Sequence, residues 1–309
     1  MDLTSKTRFS LASTAFKSEW KNLLTGAFSG IISKTFVSPI ERLKILRQLD
    51  IIDYHRKNVV KSLHWMYSSE GIIGFFKGNG INVIRYGPYV SLQFYFYEVF
   101  KNIFIKSKNP SHSNSYFDKF ICGSLAAIIT ISCTYPLDFL RTFFSIQTSM
   151  HYNSNVFTTS KSIFGGFNNI LKAEGIRGLY KGWFMTILGS APYTAVKFSC
   201  FDCLASHFMP NKNVGKFDLA NLFLGSISGI IAATLFYPAD IIRRKMQLSG
   251  LDISVPRFRG TFDCLKYMYK NKGILSFYKG LNAQLLTTVP STAIMFTINE
   301  RMKKMLKMI

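Results

Sequence analysis

Three acid–base pairs follow prolines at one spacing and could form a ring of charges that opens and closes. The chain reads SPIERLKIL at Pro39, YPLDFLRTF at Pro136 and YPADIIRRK at Pro238. An acid follows each proline by two positions and a base by five, and an offset of three places both on one helix face. Because a proline bends a helix, three such helices could bring the charges together as inter-helix ion pairs. We call these six residues the proline-motif ring: Glu41, Lys44, Asp138, Arg141, Asp240 and Arg243.

A second, less regular set of charges ends the apolar segment that follows each of these motifs. YEVFK and NERMK again place an acid and a base three positions apart, whereas FDCLA keeps the acid and has Ala205 where a base is expected. An incomplete ring of this kind should close more weakly than the proline-motif ring. We call these residues the far ring: Glu98, Lys101, Asp202, Glu300 and Lys303.

The elements that must position these charges recur three times. Each proline motif is followed by an acidic-Gly to aromatic-Lys-Gly motif, EGIIGFFKG, EGIRGLYKG or KGILSFYKG, and the third departs from the pattern because Lys272 replaces the acid. Two linked motifs that recur in order indicate a threefold repeat. Each repeat holds two apolar segments joined by a basic amphipathic stretch. The predicted units are an N-terminal extension at residues 1–19 and three repeats at residues 20–110, 111–212 and 213–309.

The apolar segments contain few charges. Residues 219–239 and 280–299 have no Asp, Glu, Lys or Arg, and both are long enough for a hydrocarbon core of about 30 Å. The other segments carry isolated bases, such as Arg85 and Lys197, and an ionisable group at that depth usually faces a bundle interior or a water-filled cavity. The sequence therefore predicts an all-α membrane protein with six transmembrane helices in three pseudo-symmetric repeats, each with a short amphipathic helix.

Polar and aromatic side chains recur every four residues in the second and fourth segments, so they share one face of each helix. Their bases suit a phosphorylated or sulfated anion, and Tyr193 could supply an aromatic face for a nucleobase beside Gly189, which leaves room. Lys34 and Lys197 can also be structural counter-ions, and Tyr193 can be packing. The predicted substrate contacts are Lys34, Arg85, Tyr89, Gly189, Ser190, Tyr193, Lys197 and Thr287.

The net charge of +22 over 309 residues indicates an anionic partner. A nucleic-acid-binding protein would also be basic, but its charges should cluster on a soluble face, whereas many bases here lie in loops between long apolar segments. No motif places a nucleophile, a base and an orienting group together. We therefore expect a transporter of a small anion, with no cofactor, no metal and no nucleic-acid partner, rather than an enzyme.

With these motifs the sequence resembles the mitochondrial carrier family, the six-helix, threefold-repeat solute transporters of the inner membrane. The resemblance covers Trp20 to Leu306 and rests on the proline motifs and the aromatic-Lys-Gly motifs. It implies alternating access, with the proline-motif ring as the matrix gate and the far ring as the cytoplasmic gate. It also implies that Gln48 and Gln247 brace the matrix gate, with Ser145 at that place in repeat 2. Cardiolipin near the short matrix helices and a monomeric carrier are further implications.

The wording of the motifs narrows the substrate class. KGNGINVIRYGPY resembles the carriers for coenzyme A, ATP-Mg/phosphate and adenosine phosphosulfates, and YPADIIRRKMQLSG is most similar to coenzyme A and Graves-disease-type carriers. RRKMQL lacks the triple-arginine, triple-methionine signature of the ADP/ATP carriers, and Thr287 stands where the other relatives usually have a base. FSCFDCL leaves a thiamine pyrophosphate carrier open. The resemblance thus implies an antiporter for a nucleotide-type anion, coenzyme A or an adenine nucleotide first, in mitochondria or in peroxisomes, where some members work.

Overall fold

The computed structural model describes residues 3–49, 58–104, 116–146, 163–208, 219–250 and 256–305. Within these ranges the regular elements are α-helices and one short 3-10 helix at Ile274–Tyr278. The α-helices are α1 (Leu3–Gln48), α2 (Val59–Gly74), α3 (Asn79–Phe104), α4 (Tyr116–Ile146), α5 (Ile163–Leu179), α6 (Trp183–Phe208), α7 (Leu219–Leu248), α8 (Thr261–Lys272) and α9 (Leu281–Met305).

The six long helices form a closed ring in chain order. The most extensive contacts join neighbouring repeats, with α3 against α4, α6 against α7, and α9 against α1. Within each repeat the two long helices also touch, and the short helix between them packs on the first of the pair. Each repeat therefore contributes one of its two long helices to each of its two interfaces with the neighbouring repeats. The predicted all-α, threefold-repeat architecture is confirmed.

Residues 3–19 of the predicted N-terminal extension are helical. The chain is helical from Leu3 and continues into the first long helix without a break, so residues 3–19 belong to α1. Each long helix also contains an internal proline, where the missing backbone donor weakens the helix locally. The proline motifs of the sequence contain the prolines of α1, α4 and α7. The other three, each ten positions after an aromatic-Lys-Gly glycine, are Pro88, Pro192 and Pro290.

Two helical stretches in the described part of the chain are apolar enough to cross a membrane by composition alone. They are Phe120–Ile146 and Phe223–Leu248, with mean hydropathies of 1.7 and 1.4. The charge-free stretch at residues 280–299 is not among them, because the amides of Asn282 and Gln284 and the hydroxyls along α9 lower its hydropathy. Large apolar side chains such as Phe36 and Phe198 remain well exposed on the long helices. Exposed apolar surface of this kind is typical of a surface that lipid or a partner covers.

The acidic-Gly to aromatic-Lys-Gly motifs follow one backbone path and differ in one ion pair. The glycine after the acid position has φ of 68°, 68° and 70° at Gly71, Gly175 and Gly273. In repeats 1 and 2 the acid pairs with the motif lysine, with 2.8 Å between Lys77 Nζ and Glu70 Oε2 and 2.5 Å between Lys181 Nζ and Glu174 Oε1. Repeat 3 has Lys272 at the position of the acid, so this pair cannot form there. The substitution changes this local contact and leaves the fold intact.

The glycine that ends each aromatic-Lys-Gly motif lies against the gate helix of the next repeat. Gly182 has φ of 82°, in the left-handed region that favours glycine. A Cβ on Gly182 would come within 2.8 Å of the carbonyl oxygen of Arg243, a base of the proline-motif ring. Gly78 stands in the same relation to Arg141. These glycines therefore allow the short helices to pack closely against the ring.

Gly182→Ala should lower the melting temperature of the detergent-solubilised protein, because the substitution adds left-handed strain of about 1–2 kcal/mol and a steric contact with a backbone that cannot easily move. The matched control is Gly80→Ala in α3, where a Cβ meets nothing within 4 Å and alanine should be neutral or stabilising. Equal melting temperatures for the two variants would contradict the packing role of Gly182.

Candidate functional site

The proline-motif ring is closed by three ion pairs, and each pair joins two repeats. In every case the base contacts the acid of the preceding repeat, so the three contacts complete a circle around the bundle. The pairs are Arg141 with Glu41, Arg243 with Asp138, and Lys44 with Asp240, where 2.5 Å separates Nζ from Oδ2. The structure thus brings all six predicted gate residues together.

The residues predicted as braces lie beside these pairs. Gln48 Nε2 donates to Oδ2 of Asp240 at 3.2 Å, and Gln247 Nε2 donates to Oδ2 of Asp138 at 3.2 Å. Both glutamines are fully buried. The hydroxyl of Ser145 instead donates to a carbonyl oxygen of its own helix, at 2.7 Å. Two interfaces of the closed ring therefore have a glutamine on the carboxylate, and the α1–α4 interface has none.

Two predicted substrate contacts lie directly on the ring acids. Lys34 Nζ is 2.7 Å from Oε1 of Glu41, and Arg85 Nη1 is 3.8 Å from Oδ1 of Asp138. The three acids of the ring are already balanced by its three bases. Lys34 and Arg85 therefore add positive charge that the ring acids do not neutralise, and this side of the bundle interior attracts anions.

A cavity of about 260 Å³ lies next to the ring, between α6 and α7. It contains three of the predicted substrate contacts and three members of the proline-motif ring. Its other wall residues were not predicted, and they come from α6 (Met185 and Thr186), from α7 and from Gln284 of α9. The predicted residues in its wall are Gly189, Ser190, Tyr193, Lys44, Asp240 and Arg243.

The remaining predicted contacts lie outside this cavity. The guanidinium of Arg85 stands 5.6 Å above the ring of Tyr89, at cation–π distance. Lys197 is half-buried and forms no ion pair among the described side chains. Thr287 is 5% exposed, and its hydroxyl donates to the carbonyl oxygen of Ala283 at 2.6 Å, so it presents little to a ligand.

In the far ring, the ion pair that the structure shows lies within one helix. Lys101 Nζ lies 3.1 Å from Oε1 of Glu98 in the same helix, and both side chains are about half exposed. Asp202 is exposed, Glu300 is half-buried, and the side chain of Lys303 lies outside the described residues. Ala205 is buried, so the position where a base was expected faces the protein. The proline-motif end of the bundle is thus held shut by inter-helix ion pairs.

Six long helices surround a cationic interior, and ion pairs seal it at one end. This arrangement is typical of a solute transporter. The sequence model of the family described as "Mitochondrial carrier protein" matches residues 16–108, 112–212 and 216–309. The chain belongs to this mitochondrial carrier family. Its members are transporters rather than enzymes, and they are multi-pass proteins of the mitochondrial inner membrane.

Relatives align along nearly the whole chain. The chain is 32% identical to mitochondrial carrier protein CoAc2 of Zea mays, over 93% of this chain and 87% of the relative. It is 34% identical to CoAc1 of Arabidopsis thaliana, over 93% and 90%. It is 33% identical to solute carrier family 25 member 16 of Homo sapiens, over 92% and 87%.

Proposed function

We propose that the chain is an alternating-access antiporter of the mitochondrial inner membrane that exchanges a phosphorylated, nucleotide-type anion, with coenzyme A or an adenine nucleotide as the first candidate. The observation that carries this proposal is the surplus of bases, Lys34 and Arg85, beside the closed ring and next to a cavity lined by Tyr193 and Gly189. The names CoAc1 and CoAc2 of the plant relatives support coenzyme A.

The proposed substrate lies between these two groups. Arg85 is the residue for the phosphates, because its planar guanidinium can donate to two phosphate oxygens at once. Tyr193 offers its ring face to the base, and Gly189 leaves the room that the base needs. A cavity of about 260 Å³ is smaller than the roughly 300–1,000 Å³ of most ligand sites. It suits the base end of a nucleotide, with the phosphates extending toward Arg85 and Lys197.

In the proposed cycle, the closed end of the bundle determines the side from which substrate enters. We assign the closed proline-motif ring to the matrix side, so the described conformation would accept substrate from the intermembrane space. In transport, the ring pairs separate and the far ring forms. The missing base at Ala205 makes the far ring the weaker of the two. A monomer with cardiolipin at the short matrix helices completes the proposal.

Purified protein in detergent should melt at a higher temperature in the presence of its substrate, because a ligand that binds the folded state stabilises it by about 2.7 kcal/mol at 100 times its Kd. The panel is coenzyme A, ATP, ADP, adenosine phosphosulfate, thiamine pyrophosphate, phosphate and a carboxylate. We expect the largest shift with coenzyme A or an adenine nucleotide and none with the carboxylate.

The matched control is the same panel on a Tyr193→Ala variant, which should lose most of the shift with adenine-containing ligands and keep any shift with inorganic phosphate. A shift with adenosine phosphosulfate alone would move the substrate within the same class. A shift confined to thiamine pyrophosphate or the carboxylate would overturn the adenine proposal and leave the carrier assignment standing.

A further inference from the structure

The three interfaces of the closed ring differ in the side chains that flank the ion pairs. In two of them a glutamine lies near the carboxylate of the neighbouring repeat and a tyrosine precedes that repeat's motif proline. The two complete sets are Gln48 with Tyr237 and Gln247 with Tyr135. At the α1–α4 interface both positions are serine, Ser145 and Ser38. This interface has therefore lost both members of the set together.

The two serines leave a small polar cavity where the larger side chains would lie. Its volume is about 10 Å³, and its wall includes Ser38, Ser145 and the ion pair of Glu41 with Arg141. The tyrosines of the other interfaces stack on aromatic residues and donate to the lysine carbonyl of the aromatic-Lys-Gly motif, as Tyr135 does at 2.7 Å. At the α1–α4 interface the corresponding lysine carbonyl, that of Lys77, accepts from Ser145 at 3.4 Å, and serines stand at the tyrosine and glutamine positions beside the Glu41–Arg141 pair.

Arg42 crosses this interface from the opposite side. Its Nε donates to the carbonyl oxygen of Ser145 at 2.9 Å, which joins α1 to α4. The two terminal nitrogens hold the Glu70 carboxylate at 2.8 and 3.0 Å, and one of them also donates to the Gly74 carbonyl oxygen. The Arg42 side chain is 1% exposed, and its charge is compensated within its own repeat. The guanidinium is thus fixed in orientation, with one donor reaching into repeat 2.

Arg42 has no counterpart in the other repeats. The residue three positions after the motif proline is Phe139 in repeat 2 and Ile241 in repeat 3, and both are buried apolar side chains. A buried arginine is costly unless its donors are satisfied, so packing alone would favour an apolar residue here as well. The exception coincides with the one interface that has no glutamine.

We propose that Arg42 is a positioning residue for gating, which holds repeat 1 against repeat 2 when the proline-motif ring is closed and replaces the brace that Ser145 does not form. The inference rests on the alternating access proposed above, since a brace affects transport only if the ring opens. Glu70 and Gly74 belong to the repeat of Arg42 and can move with it. When α1 and α4 separate, Arg42 gives up the bond to Ser145 and can keep those to Glu70 and Gly74.

The test is a double-mutant cycle with Arg42→Met and Ser145→Gln, measured as melting temperatures in detergent without substrate. Arg42→Met should lower the melting temperature by about 5 °C. Ser145→Gln places a glutamine where Gln48 and Gln247 stand in their repeats. It should change the parent protein little and should recover at least half of the loss in Arg42→Met, because the two devices act on one interface. Equal shifts from Ser145→Gln in both backgrounds would overturn the proposal.

A merely structural role is separated by two more variants. Ile241→Met is the matched control, since it introduces the same side chain at the same position of repeat 3, and it should lower the melting temperature by less than Arg42→Met does and show no coupling to Ser145→Gln. Arg42→Lys keeps a charge for Glu70 but cannot reach all three partners, so Ser145→Gln should stabilise it as well. If Arg42→Lys melts with the parent protein and ignores Ser145→Gln, Arg42 acts only through Glu70 and the proposal is wrong.

Exchange of coenzyme A in proteoliposomes gives the second readout. Arg42→Met should alter the exchange rate, and Ser145→Gln should bring it back toward that of the parent. The melting cycle needs no substrate, so it tests Arg42 even if coenzyme A is not exchanged. An additive melting cycle in a protein that does exchange coenzyme A would reject the role of Arg42 and leave the proposed function standing.

Discussion

Asp138→Asn should reduce the exchange rate in proteoliposomes by about 100-fold. Asp138 accepts contacts from Arg243, Arg85 and Gln247 in the closed ring, more than the sequence motif alone requires. An asparagine leaves two buried guanidinium groups without a full counter-charge, and breaking a buried pair in this way costs about 3–5 kcal/mol. At about 1.4 kcal/mol for each factor of ten, the closed state would be populated too rarely to complete the cycle.

Two variants separate loss of the pair from loss of the fold. Asp263→Asn in α8 neutralises an exposed acid, which accepts a hydrogen bond from the backbone amide of Arg259. Exchange should therefore be unchanged. Asp138→Asn combined with Arg243→Gln should be less impaired than Asp138→Asn alone, because removing both partners leaves less uncompensated charge. Normal exchange by folded Asp138→Asn would exclude the ring from the transport cycle.

The ring could be predicted because its information is local. A proline, an acid and a base at fixed spacing place both charges on one helix face, and three copies at regular intervals indicate that they meet. The direction of pairing could not be predicted, since each base has an acid at the same motif position in both neighbouring repeats. The structure selects the preceding repeat, as Lys44 with Asp240 shows. Helix packing, rather than the motif, fixes that choice.

The candidate substrate site was predicted less completely. The polar stripes that predict the site run along α3 and α6, so they do not reveal the walls from α7, although Tyr237 stands directly before a motif proline. The seven-residue spacing of Lys34 and Glu41 could have revealed their pair, because seven residues are nearly two turns of one helix. Thr287 was predicted as a substrate contact from its sequence spacing alone. Its hydroxyl is satisfied by its own helix, which sequence spacing does not reveal.

Arg42 was missed for a different reason. In the sequence it is one base among several between Pro39 and Gln48, and nothing local separates a buried base from an exposed one. Its partner Glu70 is 28 residues away, in a different motif. A comparison of the three repeats with one another could have revealed Arg42. Repeats 2 and 3 have apolar residues at this position, and repeat 2 has no brace glutamine.

Arg85→Ala should abolish uptake of the phosphorylated substrate while the protein stays folded. Arg85 is a cation 18% exposed to the bundle interior and held over Tyr89, and the alanine removes the donors that a phosphate would use. Asp138 keeps Arg243 and Gln247, so the closed ring should survive and the melting temperature without ligand should change little. Uptake into proteoliposomes and melting with and without ligand are the measurements.

Arg85 touches a ring acid, so its loss could stop transport in two ways that the same measurements separate. If Arg85 binds the phosphates, the melting shift caused by the ligand disappears together with uptake, and Arg85→Lys restores part of both because a point charge remains without the bidentate fork. If Arg85 serves only as a counter-ion of Asp138, the ligand shift persists while uptake falls, and Arg85 leaves the substrate site. Retention of both would remove Arg85 from the transport cycle, since neither its charge nor its donors would then be needed.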